Sequence, residues 1–199
     1  VGNVGCTIET HNTDRILIDY GLAASRPPKY PSPAPHVNNA IITHAHIDHI
    51  GMAPWLVGEH KAELHSTPLV ADLSEIMWRD TYKVSSIEGY PLTWDKRDID
   101  DSIESWQTHD HGEPFELDGW ECTLHLAGHV PGASMIELRS EDLSILWTGD
   151  IDTRNSPNVL GAKPINCDIL VMEATYAARN HINRAEEEMR LVERVQEVR

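Results

Sequence analysis

The chain has 199 residues, 40% of them hydrophobic and 24% charged, enough for one large globular domain, and no apolar run approaches the roughly 20 residues that cross a bilayer. Its formal net charge is −16, from 32 acidic against 16 basic residues, which runs against the basic surface that draws most nucleic-acid binders to phosphate. The charge leaves two readings: a substrate that is not a nucleic acid, or a surface suited to concentrated salt, where self-repulsion is screened. Only five of the basic residues are lysine, and Phe115 is the only phenylalanine. Both favour the saline reading, which expects folding to improve in molar KCl. Cys6, Cys122 and Cys167 are odd in number and far apart, so they read as thiols in a reducing compartment, and the chain as cytoplasmic.

Residues 1–9 lack the basic and apolar regions of a signal peptide. They read as the middle of a strand, which implies a missing N-terminal piece. Residues 4–20 read as two strands around a polar turn, His11-Asn-Thr-Asp14, the second strand breaking at Gly21. Five prolines between residues 26 and 36 make a loop. Residues 39–43 form a buried apolar strand that runs into a histidine-rich turn. A helix starts over residues 51–58, with Pro54 in its first turn. Residues 66–84 carry helical spacing through Leu69, Leu73, Ile76 and Met77, with Thr67 as N-cap before Pro68. Residues 85–113 are polar and aperiodic and are expected to be mostly loop. Strands follow at 120–126, 133–138, 143–147 and 169–172, then an amphipathic helix at 183–198. Runs of strands with helices between them point to an α/β sandwich.

The densest chemistry lies in Thr43-His-Ala-His-Ile-Asp-His-Ile-Gly51. Residues two apart in an extended segment face the same side, so His44 and His46 can hold one ion together. A turn after His46 would swing Asp48 and His49 toward a second. Imidazole and carboxylate are ligands that zinc accepts. His129 lies in a glycine-flanked turn between strands, and Asp150 ends an apolar strand where a carboxylate can bridge two cations. Asp19 also ends a strand. It is either a turn cap before Gly21 or a group that orients the ligand-bearing turn. The other histidines (His11, His36, His60, His65, His109, His111, His125) lack partners at ligand spacing and read as surface or packing residues. The tryptophans read as core or loop anchors.

These motifs in this order, a strand-end Asp, HxHxDH, a lone His and a strand-end Asp, resemble the metallo-β-lactamase superfamily over nearly the whole chain. The resemblance implies an α/β fold of αββα type. It also implies two zinc ions, one on His44, His46 and His129 and one on Asp48 and His49, bridged by Asp150, with water between them as nucleophile. Val171-Met-Glu-Ala-Thr-Tyr176 is similar to the Glu-Ser-Thr-Tyr-Gly signature of the β-CASP branch, which includes RNase J and mRNA 3′-end-processing nucleases. Ala174 and Ala177 depart from that signature. By this likeness Glu173 would assist the leaving group together with a histidine from a later domain; otherwise it is a surface acid. Asp48 would orient the nucleophile. The branch implies RNA as substrate and no membrane, and leaves a homodimer of the full-length protein open. It further implies that the chain stops before an inserted cap domain, and that one last zinc ligand lies beyond residue 199. His181 is a weak substitute for that ligand. A glyoxalase II- or lactonase-like hydrolase of thioesters or esters is the alternative.

Overall fold

The structure is a computed structural model that describes residues 2–9, 15–178, 180 and 182–198. The expected turn at residues 11–14 and His181 fall outside the described residues.

Two five-stranded sheets stack face to face. The first runs in the order β1 (Cys6–Glu9), β2 (Arg15–Ile18), β3 (Asn39–Ile41), β4 (Glu63–Ser66), β5 (Trp106–Thr108). Only its β1–β2 pair is antiparallel. The second runs in the order β10 (Ile169–Val171), β9 (Ser144–Trp147), β8 (Ser134–Arg139), β7 (Trp120–Leu126), β6 (Pro114–Leu117), and only β9–β10 is parallel. The helices are α1 (Ile47–Ile50), α2 (Ala53–His60), α3 (Pro68–Glu88), α4 (Lys96–Glu104) and α5 (Arg184–Glu197).

Alternation along the strands builds two cores. In β2, Ile16 and Ile18 point between the sheets, where they meet Ile41, Cys122, Leu124, Ile136 and Leu138. Leu17 points the other way and joins Ala40, Leu56, Leu64, Trp78 and Ile99 under α2–α4. The outer face of the second sheet is covered by the segment that contributes Ile151, Ala162 and Ile165. Helix α5 has no buried residue, and Met189, Leu191, Val192 and Val195 are exposed.

Several expectations need correction. Among the described residues, strand structure at the N-terminus begins at Cys6. The stretch 85–113 is not mostly loop: it contains the end of α3, all of α4, and β5. Helix α4 is mostly polar because only Ile99 and Ser102 are buried, and a capping box between Asp95 and Asp98 starts it. Thr67 holds the N-cap position of α3, but its hydroxyl does not cap the helix. It donates instead to the Gly132 carbonyl at 2.8 Å, tying α3 to the turn that carries His129. Two buried indoles brace the histidine-rich loop from behind. Trp78 Nε1 donates to the Ile50 carbonyl at 2.9 Å and Trp94 Nε1 to the Gly51 carbonyl at 3.0 Å.

His65 is buried on β4, and its ring nitrogens meet His109 and Asn39, each at 3.1 Å. Burial first, then the nearby His109, pushes its pKa down to about 4. The unfolded chain therefore takes up a proton here below about pH 6.5 that the folded chain refuses until about pH 4. Stability is lost as pH falls through that window, by about 3 kcal/mol at most. Thermal unfolding of metal-free protein between pH 7 and 4 should show a shallower acid decline in His65→Gln than in the natural chain. Parallel declines would remove His65 as the cause.

Candidate metal centre

The parallel order of the first sheet brings the ends of β2, β3 and β4 to one rim, and β7, β9 and β10 end at the same rim. The chain leaves β3 extended: His46 has φ −73° and ψ 145°, so His44 and His46 share a face. The single turn of α1 then reverses direction and presents Asp48 and His49. That turn is pinned by the segment after β2, through Tyr20 N–H to the His49 carbonyl at 2.7 Å and Leu22 N–H to the Ile47 carbonyl at 2.9 Å. Gly21 makes this approach possible, because a Cβ there would lie 1.5 Å from the Asp48 carbonyl oxygen.

Four expected ligands converge. One nitrogen each of His44, His46 and His129 and one oxygen of Asp150 all lie within 4.8 Å of one another, and they are the only such group among the described residues. His44 Nε2 is 3.0 Å from His46 Nδ1. His129 Nε2 is 3.2 Å from His46 Nδ1 and 3.6 Å from Asp150 Oδ2. The other oxygen of Asp150, Oδ1, lies 3.5 Å from His49 Nε2, which is in turn 3.9 Å from Asp48 Oδ2. Asp150 thus faces two ligand groups with its two oxygens. A cation fits both places on the donor chemistry. In addition, His49 Nε2 is buried with no hydrogen-bond partner, an orphan that a metal would satisfy. His46 is exposed, with His129 and Asp150 half-buried, so the site is open to a substrate.

Asp19 is fully buried behind this set and adopts a left-handed φ of 57°. Its carboxylate accepts from the Thr43 N–H and hydroxyl, each at 2.8 Å, and meets His49 Nδ1 at 2.7 Å. That contact leaves His49 Nε2 as the nitrogen directed to a metal. Of the two readings of Asp19, the geometry matches the orienting one. Thr43 is the residue sequence reasoning missed. Its Oγ1 also meets His44 Nδ1 at 3.0 Å, so one hydroxyl links Asp19 to a ligand of each group. The only signal in the sequence was its place between a strand and the first histidine.

The charges are arranged for metal. Burial, then His49 and His46, hold His44 down at about 2, so its lone pair stays free. Burial lowers His46 as well, reinforced by His129. Burial also opposes charge on His49, but Asp19 and Asp150 outweigh it and raise it to about 10. A cation at Nε2 would take the place of that proton. His49, 3.5 Å away, pulls Asp150 down to about 2. Glu173 lies two residues past the end of β10, beside the site. One carboxylate oxygen accepts from the Ile151 N–H at 2.9 Å, and the side chain lines a cavity of about 260 Å³ with His49 and Asp150.

The profile of the metallo-beta-lactamase superfamily matches residues 3–193. The chain belongs to this superfamily. Its metallo-β-lactamase domain is 32% identical to RNase aCSPSF2 of Saccharolobus solfataricus, a match covering 96% of this chain and 40% of the relative. It is 30% identical to cleavage and polyadenylation specificity factor subunit 3 of Dictyostelium discoideum, covering 84% of this chain and 22% of that protein. These relatives are of the β-CASP branch, and the chain spans less than half their length. A solved B3 metallo-β-lactamase with an active-site glutamic acid superposes with a TM-score of 0.55 at 16% identity, over 100% of this chain and 86% of that one, which shows the shared fold. Two mixed sheets flanked by helices are the architecture the resemblance implied.

Proposed function

We propose that this chain supplies the two-zinc half of a ribonuclease active site. The observation that carries the reading is Asp150, whose two oxygens face His44, His46 and His129 on one side and His49 on the other. The relatives' names, RNase aCSPSF2 among them, support RNA over the thioester and ester substrates of the alternative. Two zinc ions there would acidify a water and neutralise charge growing on a phosphoryl group. Asp48 would orient the attacking oxygen. Asp19 and Thr43 hold His49 and His44 in the ligating tautomers. Glu173 would assist departure of the 3′ oxygen.

Incubating the full-length enzyme with labelled RNA and with a thioester separates the readings. RNA cleavage that a chelator abolishes and zinc restores is expected. Thioester turnover without RNA cleavage would overturn the proposal.

The acidic surface fits a protein of concentrated salt. Unfolding midpoints and retained zinc should both rise from dilute buffer to molar KCl, and maximal stability in dilute buffer would end that reading. Cys6, Cys122 and Cys167 are all free thiols, which supports a cytoplasmic setting. Among the described residues no helix is long and apolar enough to cross a membrane.

A further inference from the structure

The turns that follow β9 and β10 line a second cavity of about 580 Å³ that opens from the metal centre, with His129, Asp150, Arg154, Glu173 and Tyr176 in its wall. The first of these turns is anchored along its length. Ile151 N–H donates to Glu173 at 2.9 Å, Asp152 N–H to the Ala127 carbonyl at 3.0 Å, and Gly161 N–H to Asn155 Oδ1 at 2.9 Å. Gly128, at φ 75°, allows the close approach, since a Cβ there would lie 2.0 Å from the Asp152 carbonyl oxygen.

Arg154 is set on this turn with its orientation fixed. Its backbone N–H and Nε reach Asp152 Oδ1 at 2.9 and 3.0 Å, and its Nη2 reaches Oδ2 at 3.0 Å. The carboxylate engages two of the guanidinium's five N–H groups and leaves the others for an anion. Its side chain stays 52% exposed. Among the described residues, no other Lys or Arg lines either of the two cavities beside the centre, where Asp150, Asp152 and Glu173 would repel a polyanion. Tyr176, 53% exposed, adds a flat ring to the same wall, the kind of surface on which unpaired bases stack.

We propose that this groove holds the single-stranded RNA next to the bond being cut, with Arg154 on a flanking phosphate and Tyr176 stacked against a base. The proposal deepens the ribonuclease reading and rests on it. Its test uses the full-length enzyme and a labelled single-stranded oligoribonucleotide, measuring kcat and KM across a KCl series together with zinc content. Arg154→Gln should raise KM about tenfold and flatten the slope of log KM against log salt by about 0.7, the share of one phosphate on a single strand. Arg154→Lys should recover the slope. Tyr176→Leu should raise KM about tenfold at an unchanged slope, and Tyr176→Phe should recover the affinity. In each case the loss falls on KM rather than kcat.

If the natural enzyme cuts no RNA, the ribonuclease reading fails and takes this proposal with it. If it cuts RNA while Arg154→Gln and Tyr176→Leu keep KM and slope, the groove assignment alone is overturned. Loss of kcat and zinc across all the variants would overturn it too, because the turn would then only be supporting the metal centre.

Discussion

Asp150→Asn is expected to lower RNA cleavage by the full-length enzyme at least about 1,000-fold and to leave it with fewer than two zinc ions. The natural carboxylate offers one oxygen to the His44, His46 and His129 group and the other to His49. Asparagine keeps the shape but has one neutral oxygen, so with two ions bound one would lose a ligand and both would lose charge compensation. A metal contributes several kcal/mol of transition-state stabilisation, and about 1.4 kcal/mol is a factor of ten in rate. The metal-free fold should survive, because the Asp150 side chain is 24% exposed and asparagine keeps its shape, losing only the attraction to His49 across 3.5 Å. Elemental analysis of the purified protein and single-turnover kinetics check both halves. Two retained ions and a rate within tenfold of the natural enzyme would show that Asp150 bridges nothing.

Asp19 gives the second large effect, by a different route. Asp19→Ala leaves the Thr43 N–H and His49 Nδ1 buried without their acceptor, at about 1–3 kcal/mol each. It also places alanine at a φ of 57°, which aspartate tolerates better. Loss of several kcal/mol in stability is expected. Asp19→Asn keeps the backbone conformation and one acceptor oxygen but removes the charge that holds His49. It should unfold much closer to the natural protein while binding zinc about 10- to 100-fold more weakly. Denaturant unfolding of the metal-free forms and zinc titration separate the two quantities. An Asp19→Asn variant with full zinc affinity would reduce Asp19 to a turn cap.

The histidine-rich part of the candidate site was legible in the sequence because its chemistry is local. His44 and His46 are two apart on an extended segment, and Asp48 and His49 follow within one turn, so spacing alone implies their faces. Strands β7 to β10 of the second sheet were legible for a related reason, since β7 alternates between the core and the outer face. What escaped was whatever depended on distant partners or lacked apolar periodicity. Strand β4 buries His65 and Ser66, β6 opens on Pro114, and α4 buries little besides Ile99, so none of them shows a stripe. The role of Thr43 depends on Asp19, 24 residues away. The bond from Ile151 to Glu173 depends on the parallel pairing of β9 with β10, which no local pattern encodes.

Zinc-edge anomalous diffraction from crystals of the full-length protein grown with zinc tests the central geometry most directly. Two peaks about 3.5–4 Å apart are expected, one among His44, His46 and His129 and the other against Asp48 and His49, with Asp150 between them. A single peak, or zinc found only on surface acids away from this rim, would contradict the account.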